Sequence, residues 1–438
     1  MPAEWRNWTG DQLARPVRDL APADAGEVAD AVRAATRDGL RVRMVGSGHS
    51  FPGAALTDGV LLHPDRLTGL VAVDRAACSA TVRAGTRLAD VSRLLAEHDL
   101  ALENLGDIDE QTVAGAIATG THGTGAAYGG LAAQVLALEL VLAGGTLASC
   151  DATTRPDLLA AATVGLGAYG IVTAVTLRCV PAFALHAVEE PARLDDVLER
   201  WDSLPAEADH MDIYWWPHTS DCLIKRNTRV SLSELDPLPR WQALLDDELV
   251  ANGLFGVVCR AGVRLPALVP PTNRLATRLL RRRSYTDVSH RVFASRRRVR
   301  FHETEWALPR AAVPDVLREL DATIRRRGWR VSFPVEVRVS AADDRWLSPA
   351  YGRETGYVAA HRYVREPYAE LVDAMTRIAG AAGRPHWGKL HPLDAVALAP
   401  RYPRFADALA LRAEVDPEGR FANAYTDRVL GPVSGHPR

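Results

Sequence analysis

Residues 43–51, RMVGSGHSF, set two glycines and two serines around a single histidine. Gly46 and Gly48 let backbone amides come close to an anion, as glycine does wherever a chain bends sharply beside a ligand. Phe51 stands where a nicotinamide fingerprint of the G-x-G-x-x-G type needs its third glycine, and no Gly-Lys-Ser/Thr follows as a P-loop requires. His49 is therefore the residue to explain. A second stretch, VAGAIATGTHGTG at 113–125, places Gly115, Gly120, Gly123 and Gly125 among Thr119, Thr121 and Thr124. Read as a loop, it offers amides and hydroxyls suited to a pyrophosphate. Either stretch alone is equally well explained as small residues in a tight turn. Together, each beside a strand, they point to two loops gripping one dinucleotide. A third candidate lies in VSFPVEVRVS at 331–340, where Glu336 and Arg338 leave one face of an alternating strand and Val335, Val337 and Val339 the other. Charges in that pattern ordinarily mark a solvated face.

Elements must position these groups. Residues 24–38 read as a helix, with a capping-box-like pair in Asp24 and Glu27, an apolar stripe of Val28, Ala31, Val32 and Ala35, and Gly39 just past the end. Residues 40–45 read as a strand feeding the Gly46–Ser50 turn. Further strands are expected at 60–62, 70–73, 79–82, 135–142 and 171–180, the last stopped by Pro181, with a helix at about 87–97. This mixture predicts an α+β domain rather than strict βαβ repetition. Beyond Pro181 the composition shifts: 210–218 is aromatic and strand-like, 278–300 holds nine arginines, and 315–328 is helical. The expected division is a first domain at 1–181, a second at 182–387, and a segment at 388–438 that returns to the first.

Bulk properties narrow the classes. Hydrophobic residues make up 47% of the 438 and charged residues 24%, an ordinary globular balance. A formal net charge of -2 argues against a dedicated nucleic-acid binder. No apolar run is long enough for a transmembrane segment, and the first residues lack the pattern of a signal peptide. Five scattered cysteines, none in a C-x-x-C pair, make a metal site or a disulfide framework an unpromising reading and fit a reducing cytoplasm.

Strand-VGSGHSF, then NLGDID, VAGAIATGTHGTG and GLGAYGIVTAVTL, in that order, resemble the FAD-binding domain (PCMH type) of the vanillyl-alcohol-oxidase superfamily. EVRVSAADDRWLSPAYGR at 336–353 and GRPHWGKLH at 383–391 are similar to the aldonolactone oxidoreductase group, which includes gulonolactone oxidases and dehydrogenases, arabinonolactone oxidase and alditol oxidases. The likeness runs over nearly the whole chain. It implies a two-domain flavoprotein with an α+β substrate-binding cap, and a covalent 8α bond from FAD to His49, which would fix the flavin and raise its potential. The matching motifs carry over Val45, Gly46, Ser47, Gly48 and Ser50 as cofactor-binding residues. They carry over Gly106, Asp107, Gly115, Thr119, Gly125 and Ile171 in the same role, and His122 as a structural member of the same loop. Glu336, Arg338 and Lys389 are implied to line the substrate pocket. There the cations would favour the alkoxide as hydride leaves, and Glu336 would bind substrate hydroxyls. His386 is either a general base or a ring tucked into its loop.

Oxidation of L-gulono-1,4-lactone or a close relative is the leading reading, because ENLGDID at 103–109 looks like the lactone-acting members. Alditol oxidation and a flavin-binding electron carrier without turnover are the alternatives. In the resembling group the residue matching Gly106 gates dioxygen: alanine blocks it and glycine leaves a path. The expected acceptor is therefore dioxygen, giving hydrogen peroxide, with a different electron acceptor as the alternative. The arginines of 278–300 are either a solvated face or a patch for an acidic acceptor or an anionic membrane surface. The expected location is cytoplasmic, with peripheral membrane contact allowed.

Overall fold

A computed structural model describes residues 4–239, 253, 255–295 and 298–433, so Arg296 and Arg297 of the arginine-rich segment lie outside the described residues. The first helix runs Ala25–Arg37. The Asp24 carboxylate accepts from the Glu27 amide at 2.9 Å, and Glu27 reaches back to the Ala23 amide at 2.8 Å, one residue before the reciprocal bond of a capping box. Its buried stripe of Val28, Ala29, Val32 and Ala35 covers a small parallel sheet of Arg18–Leu20, Val60–Leu62 and Val42–Met44. Val60, Leu61 and Leu62 are fully buried at the centre of that sheet, as an uninterrupted apolar strand must be when both faces are covered. Val42–Met44 ends directly before the Gly46–Ser50 turn.

A five-stranded antiparallel sheet completes the first domain, in the order Leu147–Asp151, Val135–Val141, Ile171–Arg178, Ser79–Arg83 and Leu70–Asp74. Pro181 does not stop the central strand. That strand ends at Arg178, and Val180–Pro181 pairs separately with Leu100–Ala101, a two-stranded edge where a missing amide costs little. The stretch at 113–125 is not a loop throughout. Val113–Thr119 is a helix, capped by the Thr112 hydroxyl accepting from the Gly115 amide at 3.3 Å and ended by Gly120 in the left-handed region, φ +76°.

The second domain is built on one eight-stranded sheet whose pairings are all antiparallel. Its order is Arg283–Val288, Ala184–Arg193, Asp221–Val230, His210–Trp215, Val335–Ser340, Thr355–Tyr363, Phe301–Pro309 and Arg384–Pro385. Alternation gives this sheet two characters. Val335, Val337, Val339, Trp306, Leu308, Val358 and Ala360 face a core shared with helices Val313–Arg327 and Ala369–Ala379. The opposite face carries the charges and turns toward the first domain, so the face expected to be solvated is buried.

After residue 388 the chain packs against the first domain: Tyr402, Phe405, Tyr425 and Val429 share its largest core, and the Val42 amide donates to the Arg420 carbonyl at 2.8 Å. All five cysteines are free. No helix among the described residues is long and apolar enough to cross a membrane.

Candidate active site

Two clefts meet at His49. The first, about 1120 Å³ with its open mouth, is lined by Val45, Gly46, Ser47, Gly48, His49, Ser50, Gly115, Thr119 and Ile171, among others. The amides of residues 46–50 donate to no carbonyl or side chain among the described residues, which leaves five consecutive N–H groups for an anion. Their flanks are anchored: Val45 donates to Leu62 O at 3.0 Å and Phe51 to Gly388 O at 2.9 Å. A Cβ on Gly46 would sit 2.5 Å from Thr112 Oγ1 and 3.8 Å from Gly115 Cα, so the two glycine-rich segments touch through bare backbone. Gly48, φ +73°, needs the left-handed region that glycine enters without cost.

The 113–125 segment contributes differently from the expectation of many free amides. Val113 and Ala114 donate to the carbonyls of Thr86 and Ala84, Thr121 to Ala116 O, and Gly125 to Val339 O. Gly115 and Thr119 therefore line the cleft as surface. Gly125 lines neither cleft: its φ of +135° and its bridge to Ser340 join the first domain to the cap sheet, where a Cβ would lie 2.5 Å from Asp209 O.

The second cleft, about 760 Å³, is lined by His49, Ser50, Gly106, Asp107, Thr119, His122, Glu336, Arg338, His386 and Lys389. Sheet register explains the clustering. Glu336 pairs with Ala359, which pairs with Glu305 on the next strand, and His361 pairs with Glu303, so three strands place their charged side chains on one face. Arg338 is buried and held by three carboxylates: Nε to Asp212 Oδ1 at 2.8 Å, a terminal nitrogen to Asp107 Oδ2 at 3.3 Å, and an ion pair with Glu336. Burial opposes its charge, but Asp107, Glu336 and Asp212 outweigh burial and hold it well above the ordinary arginine value. Asp107, expected among the cofactor residues, thus has its carboxylate on Arg338.

Lys389 sits on a turn clipped to the strand Phe301–Pro309: His386 N donates to Glu305 O at 3.0 Å and Leu390 N to Glu303 O at 2.9 Å. Its ammonium pairs with Glu303. Burial works against both charges, yet each partner outweighs it, so Lys389 is raised and Glu303 lowered, with His361 assisting at 3.5 Å. His386 is fully engaged in its loop. Burial pushes its imidazole down to about 3, and Nδ1 accepts from the Gly388 amide. That bond places the proton of the neutral ring on Nε2. His122 stacks on Tyr357 with centroids 3.5 Å apart, donates Nδ1–H to Gly123 O at 2.9 Å, and places Nε2 3.2 Å from Glu305 Oε1. His122, Glu305 and His386 form a cluster of metal-ligand type, and the Lys389 cation beside them opposes the approach of a second positive charge.

At the junction, His49 stacks on Trp8 with centroids 5.6 Å apart, and its ring makes no hydrogen bond among the described residues. Burial holds its imidazole below the usual histidine value, Glu110 opposing and Lys389 assisting. Asp212, Glu303, Glu305, His361 and Trp8 were not singled out from the sequence. The signal for two of them lies in FHETEWA at 301–307, where glutamates alternate with residues of a fully buried strand and so require buried partners.

Residues 16–151 match a model described as an FAD binding domain, and residues 175–429 match D-arabinono-1,4-lactone oxidase. The chain is 40% identical to the L-gulono-1,4-lactone dehydrogenase of Mycobacterium tuberculosis, over 98% of this chain and 99% of that one. It is 33% identical to the L-gulonolactone oxidase of Mus musculus, with 98% of each covered. It is 31% identical to the D-arabinono-1,4-lactone oxidase of Eremothecium gossypii, over 77% of this chain and 66% of that one. Among solved structures, the cholesterol oxidase of B. sterolicum shares the fold at a TM-score of 0.80 and 16% identity, covering 99% of this chain and 97% of that chain.

Proposed function

The chain belongs to the D-arabinono-1,4-lactone oxidase family of FAD-linked oxidoreductases, and from that premise we propose that it oxidises an aldono-1,4-lactone of the L-gulono-1,4-lactone type. The observation that carries this reading is the junction of the two clefts at His49, a cleft lined by free amides on one side and one lined by the Arg338 and Lys389 cations on the other. The unbonded amides of residues 46–50 would hold the FAD pyrophosphate. Bound there, the flavin supplies the hydride acceptor. His49, kept neutral and without a hydrogen-bond partner, would be its covalent anchor.

Arg338 and Lys389 would face the reacting hydroxyl, where two fixed cations favour the alkoxide that forms as hydride leaves. Glu336 would orient substrate hydroxyls, and Asp107, Asp212 and Glu303 would balance the cations. His386 would position the Lys389 turn rather than take a proton.

For re-oxidation we assign dioxygen, entering beside Gly106, where the missing Cβ leaves space against His122 O and Thr121 Cγ2. A second reading, transfer to another electron acceptor, is favoured by the dehydrogenase name of the 40% identical relative. Steady-state turnover with an artificial acceptor across aldono-1,4-lactones and alditols tests the substrate. Activity on gulono- or arabinono-lactones is expected. Activity confined to xylitol or sorbitol would move the assignment to the alditol-oxidising members.

A further inference from the structure

The helix Val269–Arg278 shows solvent an apolar face. Its inner side is anchored in the cap: Asn273 Nδ2 donates to the carbonyls of Pro217 and Val331, each at 3.0 Å, and Thr277 Oγ1 donates to Asp221 at 2.7 Å. Opposite them, Leu275 and Leu279 are 57% and 63% exposed, and Leu268, at the start of the same line, is 45% exposed. At 100° per residue, these three leucines fall within about 40° of one another around the axis. A surface helix normally turns that side to water as polar residues.

The charge around the stripe is predominantly positive. Between Glu248 and Asp287 the sequence holds seven arginines and no acidic residue. Arg274 and Arg278 line a groove together with Arg193, Arg325 and Arg330. Arg193 pairs with Asp221 at 2.8 Å and Arg325 with Asp321 at 2.7 Å. Arg274, Arg278 and Arg330 have no acidic partner among the described residues. The positive field is visible in the same groove at His218, which burial, and then Arg330 and Arg274, push down to about 4. None of these residues lines either cleft of the active site.

We propose that the leucine stripe of Val269–Arg278 and the adjoining arginine groove form a docking surface for an anionic phospholipid bilayer. The leucines enter the boundary between headgroups and acyl chains, and the guanidiniums of Arg274, Arg278 and Arg330 take lipid phosphates, the combination that seats amphipathic helices on membranes. An acidic protein would satisfy the arginines while leaving the leucines without an occupant. A second copy related by a two-fold axis would bring the same arginines face to face.

The test is co-sedimentation of the full-length holoenzyme with vesicles. Wild type is expected to pellet with phosphatidylglycerol vesicles, to stay in solution with phosphatidylcholine vesicles, and to be released by salt. L268S/L275S/L279S and R274Q/R278Q/R330Q should each weaken binding by about tenfold or more, with flavin content, melting temperature and flavin reduction unchanged. Wild type remaining in solution with phosphatidylglycerol overturns the proposal. So does a leucine triple variant that pellets like wild type, which would leave only charge and point to an acidic protein. A dimer in sedimentation velocity that the leucine changes dissolve would hand the stripe to a second copy and overturn it equally.

Discussion

The backbone amide of Gly388 donates to Nδ1 of His386 at 3.0 Å, so that ring nitrogen is engaged by its own loop. Burial pushes His386 and His391 down to about 3 and His210 to about 4, against an ordinary 6.5. The unfolded chain therefore binds protons at these three sites as pH falls below 6.5, while the folded chain does not. Their stability contribution is complete above pH 6.5 and declines toward pH 4, by up to about 1.4 kcal/mol per pH unit for each histidine. Asp343, pushed up to about 6 by burial, acts in the opposite sense, as do Asp416 and Glu366, which burial also raises, while His218, pushed down to about 4, adds to the three histidines. The melting temperature should fall between pH 7 and pH 5. A flat or rising value over that range contradicts the assignment of neutral, buried histidines.

Lys389→Ala and Arg338→Ala should each slow flavin reduction by about 10²-fold or more at saturating substrate, the scale expected for losing one charge that stabilises the transition state. Glu303→Gln gives a sharper readout. Burial lowers Lys389 and the Glu303 carboxylate is the largest influence raising it. Without that carboxylate burial gains, and the basic limb of the reductive rate profile should move to lower pH. An unmoved limb would mean that Lys389 is not the group titrating there.

Flavin content reports the first cleft. In Gly46→Ala the new Cβ meets Thr112 Oγ1 at 2.5 Å, forcing apart the two segments that form the cradle. The purified variant should carry about a tenth or less of the wild-type flavin, because misplacing the turn disturbs all five free amides together. His49→Ala should instead bind flavin that washes out on acid precipitation. Wild-type flavin that leaves in the acid supernatant would contradict the covalent anchor while leaving the cradle intact.

Gly106→Ala probes the acceptor. Its Cβ would press on His122 O at 3.2 Å and Thr121 Cγ2 at 3.3 Å, filling the gap between the two loops. Re-oxidation of the reduced enzyme in air should slow by about tenfold or more, since one methyl group closes a channel sized for a diatomic. If wild type already stays reduced for minutes in air, the acceptor is not dioxygen.

Local signals were legible in the sequence where one segment decided its own structure. The apolar period and flanking cap marked the helix Ala25–Arg37, and Val60–Leu62 declared itself by an unbroken apolar run. Val113–Thr119 did not, because alanines and glycines fit a loop and a helix alike, and the decision rests on Thr112 and on burial of Val113, Ala116 and Ile117. The burial of Glu336 and Arg338 was hidden for a different reason. The counter-charges of Arg338, Asp212 and Asp107, lie 126 and 231 residues from it, so the strand by itself reads as solvated. Glu303 and Lys389 show the same limit, being partners 86 residues apart.

A flavin seated at His49 is expected to receive hydride from a lactone held against Arg338 and Lys389. Anaerobic mixing of the holoenzyme with L-gulono-1,4-lactone tests it most directly. The yellow flavin should bleach fully in wild type and about 10²-fold more slowly in Lys389→Ala. A wild-type flavin that stays oxidised under saturating gulono- and arabinono-lactones would contradict it.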